Sequence, residues 1–116
     1  MIGYFRYMDQ DSAIAALAAL AHPTRLNAFR LLVRHEPDGL PTGALVEASG
    51  LTQSTFSTHL AVLAKAELVI AERQGRQQIQ RANIDTLRAL MTFLAKDCCE
   101  GRPELCEPLF ADLACC

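Results

Sequence analysis

The chain has 116 residues, about half of them apolar, and a formal net charge of −2 at pH 7. That is enough for one domain, and no apolar run reaches the roughly 18–20 residues that a membrane span needs. Net acidity argues against blanket binding to polyanions, so any nucleic-acid contact must come from local charge.

The N-terminal stretch has one early base, Arg6, and two acids, Asp9 and Asp11, ahead of its apolar run. This matches a secretory leader poorly, and a cytoplasmic protein is expected. Residues 12–21 read as a helix, with Ser12 as the cap and Ile14, Leu17 and Leu20 at helical spacing. In "HPTRLNAFRLLVRHE", Pro23 suits a first turn, and Leu26, Phe29, Leu32 and Val33 form an apolar face. "PDG" at 37–39 breaks that helix, and "PTGALVEASG" reads as a short helix ended by Gly50. Thr52 can cap the next helix, which sets Phe56, Leu60 and Leu63 on one side and Gln53, Ser54, Ser57 and Thr58 on the other.

The period then changes. Val69 and Ile70 open an extended segment, "QGR" at 74–76 can turn it, and Ile79 lies in the return strand. Helix resumes after Asn83, with Ile84, Leu87, Leu90, Met91 and Leu94 as a broad apolar stripe. The stripes of the first and last helices are expected to form core and dimer interface. His22 and His35 flank the second helix and read as structural or solvent-facing.

Helix, turn, polar-faced helix and basic hairpin is the layout of a winged helix-turn-helix, a mainly α fold with a β-hairpin wing. Residues 51–81 carry four bases against two acids, a net of +2. Gln53, Ser54, Thr55, Ser57, Thr58 and His59 are the candidates to reach phosphates and base edges of double-stranded DNA. Arg73 and Arg76 on the wing are candidates for the backbone or the minor groove.

Through "LAALAHPTRLNAFRLL", "LTQSTFSTHLAVLAKAELV" and "RQGRQQIQRA", residues 10–97 resemble the ArsR/SmtB family of metal-sensing repressors. The resemblance implies a homodimer paired through its first and last helices, with operator bound when the sensor is empty and released when ligand binds. Two familiar ligand patterns of that family are missing. "TGALVEASG" has no cysteine, and the last helix supplies Asp85 but no histidine.

All five cysteines, Cys98, Cys99, Cys106, Cys115 and Cys116, fall in the last nineteen residues. That tail is also acidic: residues 97–116 hold one base against five acids, a net of −4. The division expected is a DNA-binding and dimerisation domain over 1–97 and a cysteine-rich tail over 98–116. An adjacent Cys pair with a nearby third resembles arsenite-responsive members of the family. Gly101 and Pro103 discourage a regular helix, so Cys98, Cys99 and Cys106 can converge. Three soft thiolates without an obvious fourth ligand suit As(III) or Sb(III) as inducer better than Zn²⁺, which prefers four ligands. Cys115 and Cys116 could complete a four-thiolate Zn²⁺ or Cd²⁺ site, form a separate pair, or have no role. A thiol redox switch on the same scaffold is a further reading. A thiol enzyme such as an arsenate reductase is the weakest, because no phosphate-cradling Cys-x5-Arg loop is present. No catalytic cofactor is expected.

Overall fold

The computed structural model describes residues 8–95, 107–108 and 111–112. Its elements run α1 (Gln10–Leu20), α2 (Pro23–Arg34), β1 (Leu40–Pro41), α3 (Thr42–Ser49), α4 (Gln53–Lys65), β2 (Val69–Gln74), β3 (Gln77–Ala82) and α5 (Ile84–Ala95).

Helix ends follow local chemistry. α1 starts earlier than Ser12: Asp9 is the cap, and its Oδ1 accepts the Ser12 backbone N–H at 2.7 Å. That bond favours the charged carboxylate and holds the Asp9 pKa below its ordinary value. Pro23 sits at the start of α2, where its missing N–H has no helical partner to lose. Gly50, at φ 74°, ends α3 in the left-handed conformation, and Thr52 caps α4 by accepting from the Thr55 N–H at 3.3 Å. α4 closes with a Schellman pattern: Leu68 N–H donates to Leu63 O at 3.0 Å and Glu67 N–H to Ala64 O at 2.9 Å. Leu63 and Leu68, the hydrophobic partners of that motif, are both fully buried. Asn83 caps α5 through the Thr86 N–H, as its side chain predicts.

The strands form one antiparallel sheet in the order β1-β3-β2, with Val69 opposite Ala82 and Gln74 opposite Gln77. β1 is an addition to the hairpin read from sequence. It pairs Leu40 with Gln80 and Pro41 with Ile79, and so joins the wing to the start of α3. Gln80, buried, donates through Nε2 to Thr42 Oγ1 at 3.0 Å and reinforces that joint.

Gly39 leads into β1 at φ +75°, and a Cβ there would lie 2.5 Å from Gln80 O and 2.7 Å from Arg81 Cγ. Gly50 shares the left-handed φ, but nothing would lie within 4 Å of its added Cβ. Gly50→Ala is therefore expected to cost about 1 kcal/mol, the backbone penalty alone. Gly39→Ala is expected to cost at least about 2 kcal/mol, because a backbone carbonyl must also move. Urea unfolding of the two variants checks this, and equal losses would mean that β3 yields freely.

The core gathers Phe29 and Leu32 of α2, Leu45 of α3, Phe56 and Leu63 of α4, Leu68, and Leu90 of α5. The structure divides the outer stripes. α1 turns Ala13, Ala16 and Ala19 inward, where small side chains let it lie close to α2 and α4. Ile14 and Leu17 stay 54% and 42% exposed, and Leu94 on α5 is 54% exposed. Leu26 departs from the apolar face read for α2 and is 41% exposed. None of the helices described is long and apolar enough to cross a membrane.

Candidate nucleic-acid interface

α3, a short turn and α4 make the helix-turn-helix. Ser49 tightens the turn from both sides: its Oγ donates to Val46 O at 2.7 Å and accepts the Leu51 N–H at 3.1 Å. At about 100° per residue, Gln53, Ser57, Ser54 and Thr58 span an arc of about 140° around α4. Phe56 and Leu63 lie on the other side, and their burial fixes which arc faces out.

Gln53, Ser54, Thr55, Ser57 and Thr58 are all exposed. Their hydroxyls differ in availability. Thr55 Oγ1 accepts from Thr52 Oγ1 at 3.0 Å, and Thr58 donates to Ser54 O at 3.3 Å, which occupies its proton within the helix. The side chains of Gln53, Ser54 and Ser57 have no hydrogen-bond partner among the described residues. These three keep free donors for a phosphate or base edge, and the Gln53 amide can both donate and accept.

His59 is set apart from this row. About 40° from Leu63 around α4, it is half-buried, and its Nδ1 lies 3.2 Å from Arg25 Nη1. Its ring centroid is 4.4 Å from that of His22. Burial first, then His22 and the Arg25 guanidinium, hold the His59 pKa below its ordinary value. Sequence reading gave Arg25 no role; the signal available was its place in the "HPTRL" block.

On the wing, Arg73 is exposed and its Nε donates to Gly75 O at 3.3 Å, while Arg76 at the hairpin tip is exposed with no ion pair among the described residues. Arg81 is committed to the fold instead. It forks onto Glu36 at 2.8 and 3.3 Å and reaches Glu72 at 2.9 Å, and the bonds to Glu36 and then Glu72 hold its pKa far above the ordinary arginine value. The free positive charge of the wing is thereby concentrated at its tip.

Cys98, Cys99, Cys106, Cys115 and Cys116 lie outside the described residues. Among the described residues, no group of three or more His, Cys, Asp or Glu is placed to hold a metal ion.

A helix-turn-helix with an exposed polar row, braced by an antiparallel wing with a cationic tip, defines a winged helix-turn-helix DNA-binding protein. A family model described as a helix-turn-helix domain matches residues 20–71. The chain is 30% identical over 90 residues to the nodulation protein NolR of Rhizobium meliloti, spanning 78% of this chain and 71% of that one. It is also similar to the homodimeric winged helix-turn-helix DNA-binding domain of Mb0332 from Mycobacterium bovis, a possible ArsR-family transcriptional regulator. That likeness has a TM-score of 0.59 and 29% identity over 78% of this chain and 83% of that one. A structure named as a possible transcriptional regulator for arsenical resistance matches with a TM-score of 0.61 and 28% identity, over 71% and 82% of the two chains. The chain belongs to the ArsR family of winged helix-turn-helix transcriptional regulators, and its fold and relatives are those of a DNA-binding regulator rather than an enzyme.

Proposed function

We propose that the protein is a homodimeric repressor that holds a roughly two-fold symmetric operator and lets go when Cys98, Cys99 and Cys106 take up As(III) or Sb(III). The observation that carries the DNA half is the exposed row on α4 with free donors at Gln53, Ser54 and Ser57, next to a wing whose tip arginine is unpaired among the described residues. The exposed Ile14, Leu17 and Leu94 support a second copy packed on α1 and α5. Two copies present two α4 helices, one for each half-site.

The sensing half rests on the donor chemistry of the tail. Three thiolates match a soft trivalent ion, and a cytoplasmic, reducing setting keeps them available. The similar structure named for arsenical resistance supports the same ligand class. Cys115 and Cys116 favour a second reading, a four-thiolate Zn²⁺, Cd²⁺ or Pb²⁺ sensor.

The test is a titration of the operator complex of the reduced protein with As(III), Sb(III), Cd²⁺, Zn²⁺ and peroxide. Release by the trivalent ions alone is expected. Release by the divalent ions alone would favour the four-thiolate sensor, and release by peroxide alone a redox switch.

On the wing, Arg76→Ala is expected to weaken binding to all sequences alike. The slope of log affinity against log salt should fall by about one for each phosphate that the variant no longer neutralises. Fluorescence anisotropy over a range of salt concentrations measures both. An unchanged affinity and slope would take Arg76 off the DNA backbone.

A further inference from the structure

The "HPTRL" block makes a contact that neither base reading nor thiol chemistry requires. Arg25 ties three elements together. Its Nε donates to Ala19 O at 2.6 Å and its Nη2 to Ala18 O at 3.4 Å, at the carbonyl end of α1. Its Nη1 reaches His59 Nδ1, at 3.2 Å, on the recognition helix α4. A guanidinium only donates, so His59 must accept, and only a ring without a proton on Nδ1 can do that. His22 is constrained in the same way: its Nδ1 accepts the Thr24 N–H at 3.1 Å as the cap of α2.

The two rings lie with centroids 4.4 Å apart and planes tilted by 37°, and an accepting Nδ1 puts the His59 ring proton on Nε2. The charged and titratable groups acting on His59 are His22, from the α1–α2 junction, and Arg25, from α2; among the described residues none from α1, α3 or β2, which also pack on α4, joins them. Among the described residues, no carboxylate pairs with Arg25 to offset a new positive charge. A proton on His59 removes the acceptor that Arg25 uses and sets two cations against each other.

We infer that Arg25, His22 and His59 form a proton-sensitive clamp that seats the recognition helix on the α1–α2 junction, so that protonating the His59 imidazole releases the helix and lowers operator affinity. Arg25 and His59 are positioning residues in this account, not base readers. The clamped state binds fewer protons than the released one, since burial and its cationic neighbour hold the His59 pKa below 6.5. The clamp is therefore intact above about pH 6.5 and weakens as pH falls below it. Simple charge has the opposite sign, because extra protons near a polyanion strengthen binding at acid pH.

The inference rests on operator binding but not on the thiol site, so the experiment uses reduced protein without metalloid. Operator affinity is measured from pH 7.5 to 5.5 at fixed ionic strength, for the wild type and for a variant combining His22→Asn and His59→Gln. Asn still caps α2, and Gln still accepts from Arg25, but neither titrates in this range. The wild type is expected to lose about tenfold or more, and the variant less than about threefold. Wild-type affinity that holds or rises on acidification would overturn the clamp, as would an equal loss in the variant.

A second measurement needs neither DNA nor a variant. In NMR titration of the free wild-type protein, the His59 ring should titrate below pH 6.5, with the α4 backbone amides moving in step. A His59 midpoint at or above 6.5 would contradict the clamp.

Discussion

A chain carrying both Ile14→Glu and Leu17→Glu is expected to stay folded, to sediment as a monomer and to bind operator about a thousandfold more weakly. That drop is roughly the gap between specific and non-specific affinity. The reason lies in how α1 is divided. Its packing within the chain uses Ala13, Ala16 and Ala19, each nearly solvent-free, while Ile14 and Leu17 point away from that core. Acidic residues on the outer face therefore leave the core intact but oppose burial against a second copy. A monomer keeps one α4 helix and one wing, enough for one half-site. Sedimentation velocity and operator titration on the same sample separate the two effects. A variant that stayed dimeric, or a monomer that kept full affinity, would place the interface elsewhere.

The second large effect concerns the tail. Cys98→Ser, Cys99→Ser and Cys106→Ser are each expected to leave operator affinity within about twofold, because they follow the last core helix. Each should abolish release by As(III), removing a coupling of about 1–3 kcal/mol, or roughly 5–150-fold in DNA affinity. A serine hydroxyl is protonated at neutral pH and is a hard donor, so it cannot replace a thiolate toward a soft ion. Cys115→Ser with Cys116→Ser is expected to keep the response. Loss of response in that double variant, with Cys98→Ser still responsive, would move the site to the end of the chain.

Much of the fold was legible because its boundaries are written in residues with a single local use. Pro23, Gly50, Thr52 and Asn83 mark helix ends where the structure has them. β1 was not legible: it is two residues long, one of them proline, and its partners in β3 lie some forty residues away. The start of α1 was misplaced because Asp9 and Ser12 are both good caps, three residues apart, and only the bond between them decides. Within α1, apolar spacing picked out Ile14 and Leu17, whereas close helix packing selects the alanines.

The candidate site shows the same split. The outward arc of α4 follows from the positions of Phe56 and Leu63, so Gln53, Ser54 and Ser57 could be read directly. His59 could not, since its environment is set by Arg25 and His22, more than thirty residues earlier. Arg81 counted toward the basic middle of the sequence, yet Glu36 and Glu72 neutralise it in the fold. The cysteine positions lie outside the described residues.

In the proposed mechanism the tail and the recognition helices are coupled through the dimer. Our hypothesis is that drawing Cys98, Cys99 and Cys106 together re-aims the end of the last helix. That would change the spacing of the two α4 helices so that they no longer match both half-sites. Linkage makes any such effect reciprocal: the factor that As(III) takes from DNA affinity, DNA must take from As(III) affinity. The most direct measurement is As(III) affinity of the reduced 116-residue chain with and without saturating operator. The account predicts weaker As(III) binding on operator, by roughly 5–150-fold. Equal affinities would contradict it and leave a DNA-binding protein whose thiol tail takes up metalloid without regulating it.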